Sequence, residues 1–266
     1  GSPGGGTSLA FAFDSQNRPH ILYASGTLGL KHAWRTSVTG WTIETIDATR
    51  KCVNPSVAID AADNLSVAYE DATVANASNL KFARKTAAGW TIDAVVDATG
   101  NTGRSPGLAL DAFGRPFVIY SRTDNPNRAV RHAFKSSTGW ELQDVAGASV
   151  AGSALIAGGA PNPIALDRHG RPATAFQGAV GNRPLYAHRD EFGIWQFEQI
   201  SDEEVFAWAP SLAIGGDGSV HVAYYNPSLE LEYAVRGPGG WSDERLDAEA
   251  GSGCAPMPPS TRAAAP

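Results

Sequence analysis

Val57-Ala58-Ile59-Asp60-Ala61-Ala62-Asp63-Asn64-Leu65-Ser66-Val67-Ala68-Tyr69 is one of five related segments in the chain. The copies start at Phe11, Val57, Leu108, Ile164 and Leu212, and each continues into an alanine: Ala12, Ala58, Ala109, Ala165 and Ala213. An aspartate follows at Asp14, Asp60, Asp111 and Asp167, with Gly215 in its place in the fifth copy. Nine residues later stands an aromatic: Tyr23, Tyr69, Tyr120, Phe176 or Tyr224. A second block centres on Ala33, Ala83, Ala133, Ala187 and Ala234, each followed two places on by Arg35, Lys85, Lys135, Arg189 or Arg236. Every copy then reaches a tryptophan: Trp41, Trp90, Trp140, Trp195 or Trp241. A period of about 46 to 56 residues marks a repeat architecture.

Each copy holds four short strands. In the first, strands are expected over residues 8–13, 20–24, 30–35 and 41–46, with Asp14 opening a turn whose carboxylate can accept from the following N–H groups. Alternation of period two is clear in the second and third strands, and no helical period occurs. A lone four-stranded sheet of this size exposes too much apolar face, whereas radial repetition covers it. The expectation is an all-β, five-bladed β-propeller of four-stranded antiparallel blades. The propeller domain would span residues 8–250, with repeats over about 8–47, 54–97, 105–146, 161–201 and 209–247. Residues 1–7 read as a disordered or tag-derived start and 251–266 as a Pro/Ala-rich tail. Pro55, Pro106, Pro163 and Pro210 mark strand entries, with the Ala/Ser/Gly-rich first strand innermost and the tryptophan strand outermost.

Composition narrows the partners. The chain has 266 residues, 21 Lys plus Arg against 27 Asp plus Glu, and a net charge of −6, so general affinity for nucleic acid is not expected. No apolar run approaches the roughly 20 residues of a membrane span. Cys52 and Cys254 follow the fourth strands of the first and last copies, and one disulfide between them would clip the chain end to the ring. The few lysines and abundant small polar residues point to a secreted protein. The chain does not begin with Met, as expected of a processed or recombinant product, from which any signal peptide would be gone.

The turn Asp190-Glu191-Phe192-Gly193-Ile194-Trp195 and the Gly-Trp pairs at 40–41, 89–90, 139–140 and 240–241 carry a resemblance. In repeat architecture the chain resembles bacterial secreted propellers of the sialidase-like, degenerate Asp-box group. In that group the repeat is structural. The group's general shape is shared by sialidases, polysaccharide lyases, arabinanase-type glycosidases and tachylectin-type lectins.

Residues shared by every repeat are therefore expected to pack, including the aromatic tips, the tryptophans and the turn aspartates. His32 and His132 share a position that holds Phe82, Tyr186 or Tyr233 elsewhere, so aromatic size is the requirement there. No histidine or cysteine spacing suits a metal, and no cofactor is expected. Chemistry should lie where the repeat breaks, at the mouth built by the connections before the first strands and after the second strands. Arg50, Arg104, Arg122, Trp208, Tyr225 and Asn226 are the expected ligand-binding set: aromatic faces and planar polar groups suit a glycan or another small polar ligand. The mouth loops differ in length and content, which favours one site over five equal ones. A glycoside hydrolase or polysaccharide lyase is the alternative, with Asp71, Asp124, Glu204 and Tyr225 as candidate catalytic groups. A protein–protein interaction module is the third.

Overall fold

A computed structural model of the chain describes residues 8–25, 29–37, 40–49, 51–150, 161–201, 208–226 and 228–247. These residues form five four-stranded antiparallel sheets with strands in sequence order. Sheet 1 holds β1 (Leu9–Phe13), β2 (Pro19–Ala24), β3 (Leu30–Arg35) and β4 (Trp41–Asp47). Sheet 2 holds β5 (Cys52–Ile59), β6 (Leu65–Asp71), β7 (Asn79–Thr86) and β8 (Gly89–Asp97). Sheet 3 holds β9 (Arg104–Leu110), β10 (Pro116–Arg122), β11 (Ala129–Ser136) and β12 (Gly139–Gly147). Sheet 4 holds β13 (Ala165–Leu166), β14 (Pro172–Gln177), β15 (Pro184–Arg189) and β16 (Trp195–Gln199). Sheet 5 holds β17 (Trp208–Ile214), β18 (Val220–Tyr225), β19 (Leu231–Gly237) and β20 (Gly240–Asp247). Each repeat of the sequence is thus one sheet.

First strands meet first strands. β1 packs on β5, β5 on β9, and β13 on both β9 and β17. Hydrogen bonds link these strands and the residues leading into them, from Asn54 N to Ser8 Oγ (2.8 Å), from Leu108 N to Ser56 Oγ (3.1 Å) and from Asn162 N to Ser105 O (2.8 Å). The small residues of these strands permit that approach: a Cβ on Gly107 would lie 1.8 Å from the Asn162 carbonyl oxygen. The crowded first strands sit innermost, and the sheets stack face to face around them.

Four apolar layers fill the junctions. Leu22, Leu30 and Ile46 of sheet 1 pack on Val57, Val67, Tyr69 and Ala83 of sheet 2. Ala68, Leu80, Phe82 and Val96 then meet Leu108, Val118, Tyr120 and Ala133 of sheet 3, and the pattern continues through sheets 4 and 5. Tyr69, Tyr120, Phe176 and Tyr224, the repeated aromatics, are among the largest fully buried side chains. Each such side chain contributes about 1.5–3 kcal/mol through burial.

The turn aspartates act as their spacing implies. Oδ1 of Asp14, Asp60, Asp111 and Asp167 accepts from the N–H groups two and four residues on, at 2.8–3.0 Å. In sheet 5, where Gly215 stands, Asp217 accepts from Ser219 N instead. One expectation changes: the mouth residues Asp71, Arg104, Arg122, Trp208 and Tyr225 are not loop residues but strand ends. Arg104 and Trp208 open β9 and β17, and Asp71, Arg122 and Tyr225 close β6, β10 and β18, with Trp208 and Tyr225 paired across the ladder. A register shift between Trp208 and Ser211 lets the strand run past Pro210 to include Trp208.

Candidate functional site

The mouth residues converge because of strand polarity. First strands begin, and second strands end, on the same rim of the array: Cys52 pairs with Asp71, Arg104 with Ser121, and Trp208 with Tyr225. Near this rim the first strands of sheets 2, 3 and 5 carry register shifts. Asn54 and Ser105, each preceding a proline, take left-handed conformations with φ of 51° and 49°. A residue before proline ordinarily prefers extended backbone, so both positions hold strain that the surrounding bonds maintain.

The rims of sheets 2 and 3 share one polar network. Glu70, buried at the end of β6, accepts from Asn54 Nδ2 (2.8 Å) and from the Ser78 hydroxyl (2.8 Å), and Arg104 Nε lies 4.0 Å from it. Asn101 accepts from Ser78 N at 3.1 Å and donates from Nδ2 to the Thr123 hydroxyl at 2.8 Å. Its own N–H donates to Asp124 Oδ1 at 3.2 Å. Arg122 grips Asp124 with two bonds, of 2.8 and 2.9 Å. Asn162 ties in sheet 4, donating from Nδ2 to the Ser105 carbonyl at 2.7 Å. Arg104 and Arg122 therefore stand on adjacent strands of sheet 3 at one rim, and the Arg104 side chain is 51% exposed.

Two of the candidate catalytic carboxylates, Asp71 and Asp124, are biased towards the ionised form. Arg122, bonded to Asp124, brings that carboxyl down to about 2. Burial pushes Asp71 up, but the Thr73 and Lys81 bonds outweigh it and hold Asp71 below the usual carboxylate range. Lys81 bridges Asp71 (3.0 Å) and Asp47 (3.2 Å). Burial likewise raises Asp47, yet Thr49, the Tyr69 hydroxyl and Lys81 bring it to about 2. A glycosidase needs one carboxylic acid kept protonated near neutral pH, and Asp71 and Asp124 have the opposite bias.

In sheet 5, Tyr225 is half-buried, and Asn226 is buried just beyond it. Asn226 Nδ2 donates to Glu230 (2.7 Å) and Glu232 (2.8 Å), while its Oδ1 accepts from Ser228 N and Glu230 N. Asn226 thus shapes the β18–β19 turn. Arg50, Glu204 and Cys254 lie outside the described residues, as does the side chain of Trp208. Cys52 is buried and its thiol donates to the Thr49 carbonyl at 3.3 Å. Burial, with Asp47 nearby, pushes that thiol up to about 12.

A second set of polar groups was missed by the repeat-breaking criterion because it is itself repeated. Three residues after each tryptophan stands Glu44, Asp93, Gln143, Glu198 or Glu244. Glu44 accepts from Lys85 and from Trp90 Nε1 (2.8 Å) of the next sheet. Asp93 accepts from Lys135 (2.5 Å) and Trp140 (2.9 Å), and Glu198 from Arg236 (2.5 Å) and Trp241 (3.1 Å). Nearer the mouth, Asp47 accepts from Tyr69 and Lys81, and Asp97 from Tyr120 and Arg131, again between sheets. His32 does more than fill space. Its ring stands 2.9 Å from both His20 Nδ1 and Glu44 Oε1, whereas neither nitrogen of buried His132 has a partner.

Among the described residues, no group of three or more His, Cys, Asp or Glu side chains could hold a metal ion, and no helix is long and apolar enough to cross a membrane. No protein-family model and no curated protein matches the chain. Solved structures do. The BP39L lectin from Burkholderia pseudomallei aligns with 91% of this chain and 70% of its own, at a TM-score of 0.66 and 14% identity. A triple arginine mutant of AofleA from Arthrobotrys oligospora aligns with 92% of this chain and 73% of its own, at a TM-score of 0.60 and 14% identity. The Aleuria aurantia lectin, described as a six-bladed β-propeller with a novel fucose recognition mode, aligns with 93% of this chain and 81% of its own (TM-score 0.57, 16% identity). The chain is similar to these in fold: its sheets are propeller blades.

Proposed function

We propose that the protein binds carbohydrate, and that the rim of sheets 2 and 3 is where the glycan sits. Five blades come from this chain, and an extracellular setting suits a glycan ligand. The single observation that carries this reading is the Arg104–Glu70–Asn54 and Arg122–Asp124 network on one rim. It presents guanidinium, carboxylate and amide planes in fixed orientation, the groups that pair with sugar hydroxyls. The solved neighbours support the carbohydrate class, since their descriptions name lectins and fucose recognition. Rim residues differ from sheet to sheet, which favours one site over five equivalent ones. A place among the sialidase-like propellers is supported by the Asp190 turn, where Asp190 accepts from Phe192 N and Ile194 N. Hydrolysis is the weaker reading, because Asp71 and Asp124 are biased towards the ionised form.

A glycan array that includes fucosylated oligosaccharides tests both class and place. The expected result is retention of a defined glycan set by the unmodified protein. Arg104→Ala and Arg122→Ala should each weaken binding tenfold or more, and Arg115→Ala, on the opposite rim, should leave it unchanged. Binding that survives both rim substitutions would remove the site from this rim. Binding to no glycan, with capture of a protein ligand instead, would replace the carbohydrate reading with an interaction module.

A further inference from the structure

Each inner junction joins two unlike faces. A sheet presents one face to the sheet before it, as sheet 2 does with Val57, Val67, Tyr69 and Ala83. It presents the other to the sheet after it, as sheet 2 does with Ala68, Leu80, Phe82 and Val96. The four apolar layers join sheet 1 to 2, 2 to 3, 3 to 4 and 4 to 5, and none of them joins sheet 5 to sheet 1. Those two end faces are open. Phe11 is 42% exposed, while its counterparts Val57, Leu108, Ile164 and Leu212 are at 8% or below. Leu246 is 55% exposed, while Ile46, Val96, Val145 and Ile200 are at 7% or below. Trp41 and Phe13, at 47% and 54%, extend the opening on sheet 1.

The open faces also carry the polar code of the inner junctions. On sheet 1, Tyr23, Lys31, Arg35 and Trp41 stand where Tyr69, Lys81, Lys85 and Trp90 of sheet 2 meet the acids of sheet 1. On sheet 5, Glu244 and Asp247 stand where Glu44 and Asp47 do. One end is basic and aromatic and the other acidic, so the two ends match opposite sides of a single blade. The Aleuria aurantia lectin has six blades, and the five sheets here account for 81% of its chain, close to five parts in six.

We propose that these end faces grip a sixth four-stranded blade built on this same repeat and supplied from outside the 266 residues. Its tyrosine, basic residues and tryptophan would face Glu244 and Leu246. Its acid, three residues after its tryptophan, would face Arg35 and Trp41. Two features oppose other occupants. The undescribed residues at the ends, 1–7 and 248–266, are each far shorter than a repeat. A second five-sheet copy would bring four further blades to an opening matched to one.

The test uses the full chain and, as probe, the same chain with a second copy of residues 54–103 joined after Pro266. Hydroxyl-radical footprinting reads each aromatic by mass spectrometry. In the monomeric unmodified chain Trp41 and Phe11 should oxidise several-fold faster than Trp90 and Trp140. In the extended chain Trp41 should fall to the rate of Trp90, with a higher urea midpoint. A second measurement does not depend on the added repeat folding: Phe11→Asp should leave the unmodified chain's urea midpoint in place, whereas Val57→Asp lowers it. Three results overturn the proposal. Trp41 already protected in the monomer, with Phe11→Asp destabilising, means that the ring closes on itself with five blades. Protection that grows with concentration alongside a dimer mass means that a second copy covers the faces. An extended chain whose added repeat is itself protected while Trp41 stays exposed means that a blade is not the occupant.

Discussion

The junction between sheets 2 and 3 and the junction between sheets 3 and 4 have the same architecture but different means of cohesion. In the first, Asp97 accepts from Tyr120 and Arg131, and Asp93 from Lys135 and Trp140. In the second, Phe176 replaces the tyrosine and Gln143 replaces the acid. Gln143 Oε1, Trp195 Nε1 and both ring nitrogens of His132 are then left without partners. Arg189, unlike Lys85, Lys135 and Arg236, bonds the Gly193 carbonyl of its own sheet and lies 5.1 Å over Phe134. Ile119, Val130, Val145, Phe176 and Trp195 nonetheless form a continuous core there. Apolar packing is therefore enough to hold two blades together. The charged clips select which faces meet, a role suited to groups whose desolvation offsets much of their attraction.

The largest way to break this comparison is to open a clip from one side. Asp97 is fully buried and Arg131 nearly so; Asp97→Ala leaves the buried Tyr120 hydroxyl without its acceptor and Arg131 with only the exposed Asp144 and the Thr99 hydroxyl. A loss of about 3–5 kcal/mol is expected, read as a lower urea midpoint. Gln143→Ala at the neighbouring junction removes no satisfied bond of its Oε1 and should cost about 1 kcal/mol or less. Equal losses at the two sites would mean that the clips do not distinguish the junctions.

Much of this was legible in the sequence. The interval from the turn aspartate to the aromatic fixed each hairpin, and the tryptophan marked each outer strand. Arg104, Arg122 and Asp124, singled out as repeat breaks, do share a rim. The clips were harder to see because donor and acceptor lie about one repeat apart: Glu44 pairs with Lys85, and Asp93 with Lys135. Within one copy neither charge has its partner. Asn101, central to the rim network, gave no warning, since only the fold brings Ser78 and Thr123 to it.

A single substitution at one repeat position should have opposite signs at two junctions. His132 is fully buried beside Phe117, Phe134 and Trp195 with no hydrogen bond, and burial, with a smaller effect from Arg189, pushes it down to about 3. His132→Phe removes two unsatisfied atoms and should stabilise the fold by about 1 kcal/mol or more near neutral pH. The gain should grow on acidification. An unfolded histidine takes up its proton near pH 6.5, whereas the folded one resists to about 3, so stability tied to neutral His132 drains away as pH falls through that window. His32→Phe instead removes a ring bonded to His20 and Glu44 and should cost about 1–3 kcal/mol. Urea midpoints at pH 7 and pH 5 decide. The same sign for both variants would mean that His32's bonds do not offset its burial.

The smallest effect sharpens the comparison most. Gln143→Glu places a carboxylate where Glu44, Asp93 and Glu198 stand in the other junctions, beside a Trp195 indole N–H that has no acceptor. The new oxygen can accept from Trp195 Nε1 and draw Arg189 away from the Gly193 carbonyl. One charge-assisted pair in a half-buried slot should add about 0.5–1.5 kcal/mol after desolvation, and 1 M salt should erase part of it. A salt-sensitive gain would mean that the slot survives intact and only the acid is missing. A loss would mean that Phe176 and His132 have repacked the junction around a neutral residue, so that its apolar core and its charge pattern changed together.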